Sequence, residues 1–435
     1  MVKSVVATSV ATIIIVLLLL LSTSIRHHRA TTAKNITPPA SSSSYYSSRE
    51  RSVRRALPSK VLIGYTAGRD YDTVRNAVVR DGVNVVIWSF VEIIVPESLT
   101  TTSTTTSTRG DEGVLKTNLN IKQTQRLIIE LDMSGYSHVV HLASFGGWDG
   151  PHLQQPLSPI SSAREYSNSW MSAWRSSIVS TIFHGIDWDF EGNDDVESPL
   201  NYFHRTELDS MGHISQQMKD EGYIVTIAPP QSYLNFDSSG FTQYVNITQD
   251  RGWHDDFSYF GNNIYAYTLY KYGTYIDLVS IQFYESYSNA AMSIYHDGNT
   301  AEDYMYNYIY NIAHVNNQSF LVNFTQDLQL EGTMGSSSVR VPMELNKLVI
   351  GLANGWAFNN NTLNNNNNKT VCISPMECQR AYNRLVNSVH GDLSPRGFMF
   401  WTIDSEGSNG VYMARGISNF LHTKPKWWQA LFTTI

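Results

Sequence analysis

The sequence predicts an α/β fold, a (β/α)₈ TIM barrel built as one large domain. Three observations predict it. Eight short apolar runs are spread along the chain; they are continuous rather than alternating, as suits parallel strands covered on both faces; and helical spacing stands between several of them.

Taken in order, Val61-Leu62-Ile63-Gly64-Tyr65 and Val85-Val86-Ile87-Trp88-Ser89-Phe90 are the first two runs. Leu127, Ile128 and Leu131 then keep helical spacing, and Gly135 marks a stop. The third run, His138 to Ser144, leads into Phe145-Gly146-Gly147-Trp148, where the glycines permit a sharp turn and close backbone approach. The fourth covers Ile182 to Glu191, and Leu200 to Glu221 after it reads as a helix ending near Gly222. Ile224 to Ala228, Leu278 to Tyr284, Leu348 to Leu352 and Gly397 to Trp401 complete the eight. In such a barrel the functional groups belong at the C-terminal ends of the strands. Gly146, Gly147, Glu191, Tyr284 and Trp401 each close or directly follow their run.

The fourth run carries the most chemistry. As a strand, His184-Gly185-Ile186-Asp187-Trp188-Asp189-Phe190-Glu191 sends Asp187, Asp189 and Glu191 one way and Trp188 and Phe190 the other. Three carboxylates that close cannot all ionise, so the group holds a proton near neutral pH, as a general acid must. A solvated acidic face would not be backed by Ile178-Val179, Ile182-Phe183, Trp188 and Phe190. A hard cation would prefer carboxylates and carbonyls on a flexible loop to one rigid strand, so neither a metal nor a cofactor is expected.

This segment resembles the signature of glycoside hydrolase family 18, the chitinases and their relatives, written Asp-Gly-x-Asp-x-Asp-x-Glu. Gly185, Asp187, Asp189 and Glu191 match it, while His184 stands where the first aspartate is usual. Ser144-Phe145-Gly146-Gly147 resembles the family's Ser-x-Gly-Gly motif. Gln282-Phe283-Tyr284 resembles its Gln-x-Tyr pattern, with Glu285 where Asp or Asn usually follows, and Gly397 to Trp401 resembles its last strand. The four matches occur in the family's order.

The resemblance implies a hydrolase acting on β-1,4-linked N-acetylglucosamine polymers such as chitin, by substrate-assisted retaining catalysis. It implies Glu191 as acid and then base, Asp189 as the group that orients the substrate acetamide, and Tyr284 as its helper. Asp187 would share a proton with Asp189, Trp401 would floor the sugar, and Gln282, Gly146 and Gly147 would line the site. His184 is expected to alter the pH profile, since histidine titrates near pH 6.5. Only Ala353 to Arg396 separates the seventh run from the eighth, which implies the compact type without an α+β insertion domain, an open cleft and endo-type cleavage. Two alternatives use the same residues: a weak or inactive chitinase-like lectin, and an endo-β-N-acetylglucosaminidase acting on N-glycans.

The 435 residues divide into a signal peptide or signal anchor at 1–24, a Ser/Thr-rich flexible stalk at 25–59 and the barrel at 60–435. Residues 5–21 are apolar and close to the shortest length that spans a bilayer, so the chain is expected either to be secreted or to be anchored with the barrel outside. The net charge of −7 offers no basic face for nucleic acid, and a neutral glycan is the expected partner of a monomer. Asn35, Asn246, Asn317, Asn323, Asn360 and Asn368 begin glycosylation triplets, in keeping with an exported chain. Cys372 and Cys378 are the only cysteines and are expected to form one local disulfide. The Thr/Ser run from Leu99 to Thr108 and the Asn run from Asn359 to Asn368 read as mobile loops.

Overall fold

A computed structural model describes residues 55–95, 114–153, 162–193, 195, 197–245, 263–285, 288–324, 338–358 and 370–422, all within one compact unit, Ser52–Ile435. The expectations placed on residues 1–24 and on most of the stalk, on both biased inserts and on Asn35, Asn246, Asn360 and Asn368 lie outside the described residues. Asn317 and Asn323 lie on the surface. Among the described residues no helix is long and apolar enough to cross a membrane.

The eight expected runs are the eight barrel strands: β1 (Val61–Thr66), β2 (Val85–Trp88), β5 (Val140–Gly147), β6 (Gly185–Phe190), β7 (Ile224–Ile227), β8 (Leu278–Gln282), β11 (Leu348–Ala353) and β12 (Gly397–Trp401). All pair in parallel, and β1 meets both β2 and β12, so the sheet closes in the order β1-β12-β11-β8-β7-β6-β5-β2. Because strand side chains alternate, the apolar runs split into two layers. Val61, Ile63, Tyr65, Val85, Ile87, Val140, Leu142 and Met399 fill the barrel interior. Leu62, Val86, Trp88, Phe145, Ile186, Trp188 and Phe400 face the surrounding helices. Each such side chain contributes about 1.5–3 kcal/mol on burial.

The outer ring contains α1 (Tyr71–Val79), α2 (Ile121–Leu131), α3 (Ala163–Ser176), α4 (Arg205–Asp220), α5 (Ile264–Tyr272), α6 (Ala301–Tyr310), α7 (Pro375–Val386) and α8 (Met413–Leu421). Their starts are chemically marked. Ser162 with Glu165, and Ser374 with Glu377, form reciprocal capping boxes that satisfy main-chain N–H groups at the first turns of α3 and α7.

Three details differ from the sequence expectation. Glu191 and Tyr284 lie just beyond their strands, since β6 ends at Phe190 and β8 at Gln282. Two antiparallel hairpins are added, β3 (Val91–Ile94) with β4 (Val114–Thr117) and β9 (Ser319–Val322) with β10 (Val339–Pro342); their strands are partly exposed and carry Glu92, Lys116, Ser319 and Arg340, so they do not read as continuous apolar runs. The expected Cys372–Cys378 disulfide does not form, and both residues are free thiols. Cys372 Sγ is turned to the Ala357 carbonyl at 2.9 Å, while Cys378 is held on the buried face of α7 in the outer core layer.

Candidate active site

The acids occupy the C-terminal end of β6, where the alternation sends Asp187 and Asp189 into the barrel and Trp188 and Phe190 into the outer layer. Asp187 is fully buried and takes hydrogen bonds from three hydroxyls: Tyr65 at 2.5 Å, Thr226 at 2.5 Å and Ser144 at 2.9 Å. Burial raises its pKa, and the three donors work against that rise. The β5–β6 register sets Ser144 beside Asp187 and Gly146 beside Asp189.

Asp189 and Glu191 form a second tier nearer the mouth. Their carboxyl groups are hydrogen-bonded to one another. Gln282 Nε2 donates towards Asp189 Oδ1 at 2.8 Å, Glu191 Oε1 at 3.2 Å and the Ala228 carbonyl at 2.8 Å. Burial, then the negative charges of Glu191 and Asp187, push the Asp189 carboxyl well above the usual carboxylate range. Burial raises Glu191 to about 7, with the Gln282 and Asp189 hydrogen bonds opposing it. The pair therefore retains a proton near neutrality, the condition for a general acid.

The surroundings fit these acids closely. Gly146 and Gly147 both take positive φ, +105° and +90°. A Cβ on Gly146 would stand 2.5 Å from the Asp189 carbonyl, and one on Gly147 would stand 2.4 Å from the Phe90 ring. Only glycine meets both the conformation and the space. Tyr284 lies beside the pair, where burial and the charges of Asp189 and Glu191 keep its phenol protonated. Trp401 caps the interior cluster with Tyr284, stacks on Phe90 at 5.8 Å and tilts against Tyr65 at 5.4 Å.

Every glycan-contacting or catalytic candidate from the sequence thus falls at one end of the barrel, with Gln282 engaged by the acids. His184 does not join them. It shares its face with Ile186 and Trp188, three residues upstream of Asp187, and its Nδ1 accepts the main-chain N–H of His141 at 2.9 Å. Glu285, longer than the usual residue, accepts from the N–H and the hydroxyl of Ser232, both at 2.9 Å. Sequence reasoning passed over Tyr65 and Thr226 as partners of Asp187. The signal was present in Thr226, the one polar residue inside Ile224-Val225-Thr226-Ile227. Trp148 after β5 and Trp356 after β11 add exposed aromatic faces at the same end, and Trp356 Nε1 donates to the Trp401 carbonyl at 2.7 Å.

No family model matches the sequence, and no curated protein matches it. Solved structures do match. A family GH18 chitinase from Chromobacterium violaceum aligns with a TM-score of 0.51 at 13% identity, covering 85% of this chain and 85% of that one. The C-terminal domain of ChiA from Legionella pneumophila aligns with a TM-score of 0.51 at 15% identity, covering 82% of this chain and 97% of that one. Likeness at such identity is a likeness of fold, and the fold of this chain is the (β/α)₈ barrel found in the family 18 chitinases.

Proposed function

We propose that this chain is a chitinase-like glycoside hydrolase that cleaves β-1,4 bonds in N-acetylglucosamine polymers. The observation that carries the reading is the buried Asp189–Glu191 pair sharing a proton at the mouth of the barrel, with Asp187 locked beneath it. Glu191 protonates the glycosidic oxygen as the bond to the anomeric carbon breaks. The carbonyl oxygen of the substrate's own 2-acetamido group attacks that carbon, and an oxazolinium ion results. Asp189 accepts the acetamide N–H and stabilises its developing charge, while the Tyr284 hydroxyl donates to the acetamide oxygen. Glu191, now a carboxylate, removes a proton from water as the water opens the ring, and the anomeric configuration is retained.

The described residues between β11 and β12 are a 3₁₀ turn at Gly355–Ala357, the approach to α7 and α7 itself. Sequence length leaves no room there for an added α+β wall, which supports an open cleft and internal cleavage. The apolar segment at 5–21 supports export to the cell exterior, either free or anchored. The test compares the purified chain and Glu191→Gln on soluble chitin oligomers and on a glycoprotein. Oligomer cleavage that Glu191→Gln lacks supports the reading; glycan release from the glycoprotein alone redirects it to an endo-β-N-acetylglucosaminidase; binding without cleavage redirects it to a lectin.

A further inference from the structure

We propose that His152 is a positioning residue for Glu191, gripping the acid's main chain as a doubly protonated imidazolium that Glu207 holds in charge and place. The proposal rests on the reading of Glu191 as the acid. His152 stands in the loop after β5, and its side chain is only 8% exposed. Its Nε2 lies 2.8 Å from the Glu191 carbonyl oxygen. A carbonyl only accepts, so Nε2 carries a proton. Its Nδ1 lies 2.9 Å from Oε1 of Glu207, a side chain 2% exposed. Glu207 occupies the first turn of α4, where the helix N-terminus favours an anion. A carboxylate there requires a proton on Nδ1 as well, and the ring is cationic. Phe190 and Phe203 flank it, with ring centroids at 5.4 and 4.6 Å, and suit a cation between aromatic faces.

The grip belongs to a set. The Phe190 carbonyl accepts from the Tyr265 hydroxyl at 2.9 Å, the Gly192 N–H donates to the Tyr233 hydroxyl at 2.9 Å, and the Gly192 carbonyl accepts from the Asp149 N–H at 3.3 Å. Residues 191 and 192 lie beyond the end of β6, so these ties from separate elements help decide where the Glu191 side chain starts. The titratable residues in contact with the ring are Glu207 on α4 and, through its carbonyl, Glu191; the ties to Phe190 and Gly192 and the same loop add Tyr265, Tyr233 and Asp149, whose Oδ1 accepts from Asn193 Nδ2 at 2.8 Å. Burial alone would lower the histidine's pKa; the ion pair with Glu207 and the hydrogen bond to the Glu191 carbonyl outweigh it and hold the ring above the ordinary value. Loss of one proton turns a lone pair on either the carboxylate or the carbonyl, and one contact opens. Alkaline loss of activity then contains a positioning component beside the ionisation of Glu191.

The experiment measures kcat, KM and pH profiles on a soluble chitin oligomer for the full chain and for His152→Ala, His152→Gln and Glu207→Gln. It adds ring-nitrogen NMR of the histidines at about pH 7.5, where an ordinary histidine is largely neutral. The expected result for His152→Ala is a fall in kcat of about 10²-fold with KM little changed, since small misplacement of a reacting group has that effect. His152→Gln, whose amide still donates to the carbonyl, recovers most of the loss. Glu207→Gln moves the alkaline limb to lower pH. The unaltered chain shows one imidazole protonated on both nitrogens, absent in His152→Gln and Glu207→Gln. Parent-like kcat and alkaline limb in His152→Ala, or no doubly protonated ring, overturns the proposal. If His152→Ala unfolds, the other two variants and the NMR decide. If the parent cleaves no oligomer, the assignment of Glu191 fails, while the ring signal still judges the His152–Glu207 pair.

Discussion

Two largely enclosed carboxylate clusters in this barrel each accept several hydrogen bonds and end with opposite protonation. On the outer ring, Asp209 of α4 accepts on Oδ1 from Lys271 at 2.6 Å, Tyr267 at 2.7 Å and Tyr272 at 2.9 Å, with Arg205 3.5 Å from Oδ2. Burial would raise its pKa, but the Lys271 and Tyr267 hydrogen bonds outweigh burial and hold it below the usual value. At the mouth, Asp189 and Glu191 also receive hydrogen bonds, yet both are raised. The difference is the cation. Asp209 faces an ammonium and a guanidinium, whereas the acid pair is bonded to an uncharged amide and within itself. A buried carboxyl becomes a structural anion or a proton store according to whether a full positive charge stands within bonding reach. The histidine cation proposed at His152 is aimed at the main chain of Glu191 and leaves its carboxyl free to keep a proton.

The sharpest break of this comparison is Glu191→Gln. The amide fills the same volume but delivers no proton, so turnover should fall by about 10² to 10⁴-fold, the usual worth of general acid catalysis. Stability should move the other way. A carboxyl whose folded pKa is raised contributes stability that is complete below its unfolded pKa and disappears as pH rises through the folded value, here about 7. The variant should therefore melt near the parent at acidic pH and above it at alkaline pH. A constant gap across that window would show that Glu191 carries no such burden.

Gln282→Lys should convert the mouth towards the Asp209 type. An ammonium in place of the bridging amide favours the charged form of Glu191, so the alkaline limb of kcat/KM should move to lower pH. For every pH unit that the limb moves, the protonated fraction on its falling side drops about tenfold. Chitin oligomer binding by calorimetry at acidic pH separates this from collapse of the site: retained binding with a displaced limb supports the cation argument, and an undisplaced limb refutes it.

The reverse experiment on the outer cluster, Asp209→Asn, has a smaller expected effect and no kinetic one. It loses hydrogen bonds to a charged acceptor, worth about 1.5–3 kcal/mol together with the strain of rearrangement. The sign follows from the lowered folded pKa: the contribution is present above the unfolded value and is lost as pH falls through the folded one. Thermal melts should show the gap at neutral pH and its narrowing in strong acid. A change in kcat would tie the outer ring to the chemistry and blur the distinction between the clusters.

The two clusters also differ in how far the sequence reveals them. The acid row was legible because period-two alternation brings Asp187, Asp189 and Glu191 together from one strand, a purely local fact. The eight barrel strands were legible from an equally local signal, continuous runs of apolar residues. Asp209 was not legible: its ammonium and its two phenols come from α5, and nothing in either helix announces the other. His152 and Glu207 were hidden in the same way, one on a loop after β5 and one in the first turn of α4. Tyr65 and Thr226 come from β1 and β7 and reach Asp187 only because the barrel closes. The cysteines show the converse error, since their closeness in sequence suggested a bond that the structure does not contain. Contacts made by closure, and directions set by helix faces, are properties of the assembled fold.

The smallest expected effect belongs to His184, and its smallness is informative. Its place in the acidic signature suggested control of the pH profile, but residue parity separates it from the acids. Gly185, Asp187 and Asp189 share the inner face, whereas His184 lies with Ile186 and Trp188 on the outer one, next to His141 at 5.8 Å between ring centroids. Asp187 meanwhile has its hydrogen bonds from Tyr65, Thr226 and Ser144. In His184→Asp the carboxylate can still accept the His141 N–H, so the stability change should stay below about 1 kcal/mol, one hydrogen bond's worth. Both limbs of the pH–rate profile should superimpose on the parent's. A displacement of either limb by more than about half a pH unit would mean that the outer face of β6 communicates with the mouth, and that histidine titration belongs in the mechanism after all.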